Sequence, residues 1–326
     1  MIKALLVMEE RRRADVYPAH VLEKLADLVE WQAPAMTRER LAADPRVLSE
    51  VEILLSGWGA PVLDAGLLAH APRLRAVLVA AGSVRPLTTP DFWALGIPIV
   101  SAASANAIPV AQFTLAQILL ALKQFHRISR ELKELGRYPD EVRVAGAYRS
   151  RVGLLGLGEI GRLVASHLRA FDLEVVAYDP HAPAGLGVPL LPLAELFETC
   201  EVVSVHAPLL PETTGLVGGP LVARLRAGAT LINTARGAVL DEPSVVEVLR
   251  GRPDLTAVLD VTWPEPPEPG SPLYGLPNVV LTPHLAGAMG AERGRMGELV
   301  LEEVARLAAG EPLRHAVSPA LAGLRA

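Results

Sequence analysis

Short apolar runs separated by amphipathic stretches recur along the chain in two series. Residues 3–8, 51–55 and 74–80 read as strands. The last of these shows no polar alternation, the form taken by a parallel strand that helices cover on both faces. Residues 20–29 carry a helical pattern and residues 64–70 a helical turn, so the first third predicts a small βαβ layer. The second series opens at 152–155 and continues through 174–178, 202–205, 230–232, 257–259 and 279–281, with helical patterns such as 160–171 and 242–249 between them. Strands joined by crossover helices in this way predict a doubly wound α/β sheet. Residues 291–309 turn helical again, with Met296, Leu299, Val300, Val304 and Leu307 at helical spacing. Lying beyond the last strand, this helix is expected to return to the first domain.

One stretch breaks the pattern. No Asp, Glu, Lys or Arg occurs from residue 92 to residue 122, a length that reaches across a bilayer. Pro98, Asn106, Pro109, Gln112 and Gln117 interrupt it, and the part after Pro109 is shorter than a span. The expectation is a helix at 109–122, buried on all sides at a domain junction. The domains themselves are expected at 1–104, completed by 288–326, and at 105–287.

Composition narrows the class. A length of 326 residues suits two domains. With 51% hydrophobic but only 4% aromatic residues, the apolar content is mostly aliphatic, as in α/β layers. A net charge of -5 leaves no basic field to hold nucleic acid or an anionic membrane. The single cysteine, Cys200, cannot form an intrachain disulfide and reads as a core residue. The first apolar run meets Glu9, Glu10 and Arg11 too soon for a secretory signal, so the cytoplasm is the expected compartment.

Chemistry enters at Gly156-Leu157-Gly158-Glu159-Ile160-Gly161, which follows a strand and opens a helix. Gly156 permits the tight turn, Gly158 lets the backbone approach a pyrophosphate, and Gly161 lets helix and strand pack closely. The helix N-terminus then faces the phosphates. The next strand ends at Asp179, whose carboxylate can accept hydrogen bonds from ribose hydroxyls and would repel a 2′-phosphate. NAD is therefore expected ahead of NADP, with His181 nearby as a group that a phosphate could recruit. The rival reading is a bare glycine turn, with Asp179 capping a loop.

Three later strands are followed by polar groups that apolar packing does not require. They are Asn233-Thr234-Ala235-Arg236-Gly237, then Asp260-Val261-Thr262-Trp263-Pro264-Glu265, then Thr282-Pro283-His284-Leu285-Ala286-Gly287. Ligand chemistry in open α/β sheets gathers at the carboxyl ends of strands. An arginine suits a carboxylate and a developing oxyanion, and a histidine moves a proton. A carboxylate such as Glu265 favours the imidazolium form of that histidine. The three together form a kit for reducing a 2-oxo acid. Taken singly, each has a plainer reading: a surface ion-pair partner, a structural histidine, a buried strand-end acid at Asp260.

These segments, with the glycine loop, His206-Ala207-Pro208-Leu209, Glu212-Thr213-Thr214 and Gly310-Glu311-Pro312-Leu313, resemble the D-isomer-specific 2-hydroxyacid dehydrogenase family over essentially the whole chain. The resemblance implies two doubly wound parallel-sheet domains, a flavodoxin-like substrate domain and a Rossmann NAD-binding domain. It assigns substrate carboxylate and oxo-group binding to Arg236, proton transfer to His284 and pairing with that histidine to Glu265. Backbone amides at Ala81 and Gly82 would take the carboxylate. Cofactor contacts would come from Gly156, Gly158, Glu159, Ile160, Gly161, Asp179, His206, Ala207, Pro208, Thr213, Thr234, Ala235, Asp260, His284 and Gly287. It further implies a homodimer through the 109–122 helix, a small substrate such as glyoxylate or hydroxypyruvate, and no metal.

Several positions depart from the family pattern. Gln112 stands where a glutamate is usual, and the loop Gly82-Ser83-Val84-Arg85-Pro86 lacks a frequent Asp-Asn pair. Arg85 reads as a solvated loop residue or as a partner for a second acidic group, and Trp58 and Trp263 as pocket walls or as packing. Glu265 argues against the formate dehydrogenase branch, which resembles this chain with glutamine there. The rival from another class is an NAD(H)-sensing interaction protein with little turnover, since corepressors of the family keep the same triad.

Overall fold

Parallel strands need long crossovers, and helices supply them here. In chain order the strands are β1 (Ile2–Val7), β2 (Val29–Trp31), β3 (Ile53–Ser56), β4 (Ala76–Val79), β5 (Ile99–Ser101), β6 (Arg151–Leu155), β7 (Glu174–Tyr178), β8 (Val202–Val205), β9 (Thr230–Asn233), β10 (Thr256–Leu259), β11 (Val279–Leu281) and β12 (Ala316–Val317). The computed structural model describes residues 1–183 and 185–324. Its chain forms two compact units, residues 1–106 with 288–326, and residues 107–287.

In the first unit the sheet order is β2-β1-β3-β4-β5-β12, and in the second it is β7-β6-β8-β9-β10-β11. Every pairing is parallel except that of β12 with β5. Both faces of each sheet are covered, so successive residues of one strand enter opposite cores. Leu231 packs on one face and Ile232 on the other; Ala257 and Leu259 oppose Val258. In the first unit Leu6, Leu55 and Leu78 lie on one side, and Leu5, Leu54 and Val77 on the other. Continuous apolar runs therefore carry these strands, as the sequence pattern implies.

Register decides where chemistry can sit. Asn233 pairs with Leu259, and Leu259 with Leu281. The loops that begin at residues 234, 260 and 282 thus leave neighbouring strands at one level, on the carboxyl edge of the second sheet. On the same edge the chain runs from β6 outward to β7 and then back across to β8, which makes the gap between β6 and β8 a topological switch point. Beyond β7, among the described residues, the sheet gains one further parallel bridge, Ala177 to Leu190. Pro183, Pro189 and Pro192 remove the N–H groups a longer strand there would need.

Several elements differ from the sequence reading. Residue 29, expected at the end of a helix, instead opens β2 and pairs with Ile2, because the helix Ala19–Ala26 has already stopped. β2, β5 and β12 escape the sequence pattern, being two or three residues long and so shorter than any periodicity. The uncharged helix runs from Ala103 to Leu122, through Pro109 instead of starting there. By length and composition it is long and apolar enough to cross a membrane. What covers it in the structure is protein: Ala111, Ile118, Ala121 and Leu122 belong to a core of the second unit, alongside Val152, Leu154 and Val258. That packing tolerates a proline whose missing N–H would weaken an isolated helix by about 3 kcal/mol. Gln112 is exposed on this helix, so it is not covered on all sides.

The helix Gly294–Ala308 closes the first unit, burying Met296, Val300 and Val304 against β1, β3 and β4 residues. A side chain at Gly297 would place its Cβ 1.9 Å from the Val16 carbonyl oxygen, so glycine alone lets the two backbones approach.

Candidate active site

Leu155 ends β6, and Gly156 follows with φ +99°, open to glycine but not to other residues. A Cβ on Gly156 would lie 2.9 Å from the backbone at His206 and Ala207, and one on Gly161 would lie 2.1 Å from the Gly156 carbonyl oxygen. Side chains at either position would push the helix Glu159–Leu168 off the sheet. At Gly158, which caps that helix, nothing lies within 4 Å of the missing Cβ. The first turn, Glu159 to Gly161, therefore stands beside open space, with N–H groups directed as an anion requires.

Asp179 joins this loop to the end of β7. One carboxylate oxygen accepts the Leu157 N–H at 2.7 Å and the other the His181 N–H at 2.8 Å. The carboxylate is half-buried, and each oxygen keeps a second lone pair, so capping a loop and receiving a ribose hydroxyl are compatible roles. Beside it lies a cavity of about 510 Å³, lined by Leu157, Pro183, Leu186, Val188 and Leu190 among others. Its size and apolar walls suit a flat heteroaromatic ring. The glycine cradle at the end of β6, the acid at the end of β7 and this cavity together fit a dinucleotide.

His206 leaves β8 facing the same loop. It is 8% exposed, its Nε2 lies 3.0 Å from the Ser204 hydroxyl, and its Nδ1 is buried without a hydrogen-bond partner. Burial pushes its pKa down to about 4, so the ring is neutral. Ala207 is buried and Pro208 exposed. Thr213 closes this loop on itself, donating to the Pro208 carbonyl at 2.5 Å and accepting the Leu210 N–H at 2.8 Å.

At the end of β9, buried Asn233 ties the next turn down. Its side chain donates to the Arg236 carbonyl and accepts the Ala235 N–H, each at 3.0 Å. Thr234 turns inward, its hydroxyl 3.0 Å from that of Thr114. Gly237 has no room for a side chain: a Cβ would lie 2.0 Å from the Thr262 backbone, so the loops after β9 and β10 touch backbone to backbone. Arg236 donates from its guanidinium to the Ala235 carbonyl at 2.7 Å. Burial pulls its pKa below the ordinary arginine value, and the Glu265 charge opposes that pull. Among ionisable side chains arginine is the one that stays protonated through such a shift.

Asp260, 2% exposed, fastens the last loop. Its carboxylate accepts the Thr282 hydroxyl at 2.6 Å and the Leu285 and Ala286 N–H groups at 2.9 Å, while its carbonyl accepts the His284 N–H at 2.9 Å. Gly287 follows directly. Held this way, His284 adopts a left-handed φ of +53°, rare outside glycine. Its Nδ1 lies 2.6 Å from a Glu265 carboxylate oxygen, and both side chains are partly open to solvent.

Elsewhere the structure separates the candidates. Trp263 is 66% exposed, and its N–H reaches Glu242, whose carboxyl burial pushes upward. The guanidinium groups of Arg12 and Arg293 stand over the Trp58 ring, 5.0 and 5.6 Å from its centre, and Arg85 is exposed. Cys200 is buried and its thiol pushed up to about 12, which makes it a packing residue. Ala81 is buried and Gly82 half-buried in the loop after β4. Sequence reasoning does not single out Asn233, Gly237 or Thr282; each stands within three residues of Arg236 or His284 in a strand-end loop, and that adjacency is the available signal.

Residues 115–286 match the sequence model described as D-isomer specific 2-hydroxyacid dehydrogenase, NAD binding domain. The chain belongs to this family. A D-3-phosphoglycerate dehydrogenase of Mycobacterium tuberculosis is 34% identical over 311 residues, 94% of this chain and 58% of the relative. This family member thus spans less than three fifths of the length of the curated relatives it matches first. Among solved structures, a D-isomer specific 2-hydroxyacid dehydrogenase from Xanthobacter autotrophicus Py2, in complex with NADPH and MES, aligns with TM-score 0.79 and 28% identity over 99% of this chain and 100% of that one. The TT0316 protein of Thermus thermophilus aligns with TM-score 0.76 and 29% identity, covering 97% and 100%. The second unit is the family's NAD-binding domain.

The buried neutral His206 has a consequence for stability. Its pKa is about 4 when folded, against an ordinary value of 6.5. Between these values the unfolded chain binds more protons, so the contribution is complete above pH 6.5 and is lost as pH falls toward 4. The drop should amount to about 3 kcal/mol in urea unfolding, at about 1.4 kcal/mol for each pKa unit. His206→Gln, which does not titrate there, should show a shallower fall; identical pH slopes would contradict a buried neutral ring.

Proposed function

We propose that this family member is an NAD-dependent D-2-hydroxyacid dehydrogenase that interconverts a small 2-oxo acid and its D-2-hydroxy acid. The observation that carries the reading is the 2.6 Å contact of His284 Nδ1 with Glu265, next along the sheet edge to the half-buried Arg236. When bound, the nicotinamide supplies or accepts the hydride at C2 of the substrate. Reduction places negative charge on the carbonyl oxygen, and Arg236 neutralises it while its planar fork holds the acid. His284 donates the proton to that oxygen, with Glu265 holding the ring through Nδ1; in oxidation the ring takes the proton back. In the first unit, backbone N–H groups at Ala81 and Gly82 receive the substrate carboxylate.

The cofactor reading follows the second unit's geometry. Gly156, Gly158, Glu159, Ile160 and Gly161 take the pyrophosphate and Asp179 the adenosine ribose. His206, Ala207, Pro208 and Thr213 line the middle, and Thr234, Ala235, Asp260, His284 and Gly287 stand toward the nicotinamide. Asp179 favours NAD by repelling a 2′-phosphate, although the Xanthobacter relative was solved with NADPH. A net charge of -5 offers no field to nucleic acid or an anionic membrane, and against it a small anionic substrate depends on the local positive charge of Arg236; a cytoplasmic setting completes the reading. Exposed Phe125, Leu132, Leu135, Tyr138 and Tyr148, next to the helix Ala103–Leu122, support a homodimer on that side.

With NADH and a panel of 2-oxo acids, absorbance should fall for at least one of them, and NADH should bind about ten-fold more tightly than NADPH or better, the cost of one repelled charge. His284→Ala should lower turnover about 10²- to 10⁴-fold with NADH binding nearly unchanged. A variant with near-normal turnover would remove His284 from the chemistry, and a wild type that fails to consume NADH with every acid of the panel would favour a sensor. Sedimentation should give twice the mass of one chain, whereas a stable monomer would contradict the dimer.

A further inference from the structure

Ser101 ends β5, is 1% exposed, and has no part in the chemistry proposed above. Its hydroxyl lies 2.9 Å from the Gly82 carbonyl oxygen and 3.3 Å from that of Ala81, and it accepts the Ala103 N–H at 3.1 Å. The Ala81 carbonyl also accepts the Ala102 N–H at 3.0 Å. Both carbonyls of the loop after β4 are therefore bound from one side, by the junction where β5 passes into the helix Ala103–Leu122.

Peptide geometry converts this into a direction. A trans peptide is planar and carries its C=O and N–H on opposite edges. The Ala81–Gly82 bond is trans, so holding the Ala81 oxygen against Ser101 and Ala102 turns the Gly82 N–H away from that junction. Because the Gly82 oxygen is held as well, the glycine cannot swivel between its two peptides, a freedom it would otherwise have more than any residue. Its open side is flanked by Asn106, whose Nδ2 stands 3.6 Å from the position of the missing Cβ and whose Oδ1 accepts the Ala288 N–H at 2.9 Å.

We propose that Ser101 is a positioning residue for substrate binding: its buried hydroxyl aims the Gly82 N–H at the substrate carboxylate. The inference rests on the reading of this loop as the carboxylate receiver. Ser101 touches no reacting atom, and its effect is on how well the acid is held, equally in ground state and transition state. Loss of such uniform binding raises KM and leaves kcat.

Steady-state kinetics on the full chain test this with the 2-oxo acid that the wild type reduces best. Ser101→Ala should raise the KM of the acid about ten-fold, with kcat within about three-fold, and weaken inhibition by oxamate in parallel. The dissociation constant of NADH should not move, and Ser101→Thr, which keeps the hydroxyl, should restore KM. If Ser101→Ala does not fold, Ser101→Cys keeps the volume with a weak donor and should show the same direction of change. An unchanged KM in the folded variant overturns the inference while the function stands. A wild type that turns over no 2-oxo acid overturns the functional reading, and this inference with it.

Discussion

A carboxylate sealed from water is costly unless hydrogen bonds replace its hydration, and Asp260 is such a group. Its donors all come from the loop that follows β11: the Thr282 hydroxyl and the Leu285 and Ala286 amides. Satisfying the acid thus binds the end of β10 to the turn that carries His284, and the Asp260 carbonyl takes the His284 amide as well. The left-handed conformation of His284 costs about 1 to 2 kcal/mol on its own, and it persists because the residues around it are fixed. Glu265 descends from the same β10 end. Both partners of the 2.6 Å contact therefore hang on one buried charge.

The rest of the sheet edge is built from absent side chains. Gly156, Gly161 and Gly237 each mark a place where two backbones meet more closely than a Cβ allows. The first two set the glycine loop against the strand and the His206 turn, leaving the helix N-terminus clear for phosphate. The third draws the Arg236 turn against Thr262, so the arginine and the Glu265 loop share a wall. Electrostatics then divide along the edge: an acid at Asp179, a neutral imidazole at His206, and a half-buried guanidinium at Arg236 countered by Glu265. In a chain of net charge -5, that guanidinium is a local concentration of positive charge.

Much of this is legible in the sequence because it is local. A strand, three glycines at fixed spacing, a helix and an acid at the end of the next strand lie within one stretch of chain, and β7, β8 and β11 run over the residues their apolar pattern marks. The polar loops after β9, β10 and β11 stand out because core packing does not require them. What escapes depends on contacts distant in sequence. β2 and β5 are too short for a period and exist through pairing with β1 and β4. Pro109 reads as a helix start, but burial of Ala111, Ile118 and Leu122 carries the helix through it. Asp260 reads equally well as a cofactor contact or a strand-end acid, and only its partners from residues 282–286 show it as a fastener. Ser101 carries no signal at all, since its meaning lies in two carbonyls nearly twenty residues away.

Amide hydrogen exchange at Leu285 and Ala286, compared between the wild type and Asp260→Asn, tests the fastening most directly. The asparagine keeps the volume but offers one acceptor oxygen where the carboxylate offers two. Exchange at one or both amides should then accelerate about ten-fold or more, as loss of a charge-assisted hydrogen bond implies, together with a loss of 2-oxo acid turnover while NADH still binds. Unchanged protection at both amides, with unchanged turnover, would show that the His284 loop holds its place without Asp260.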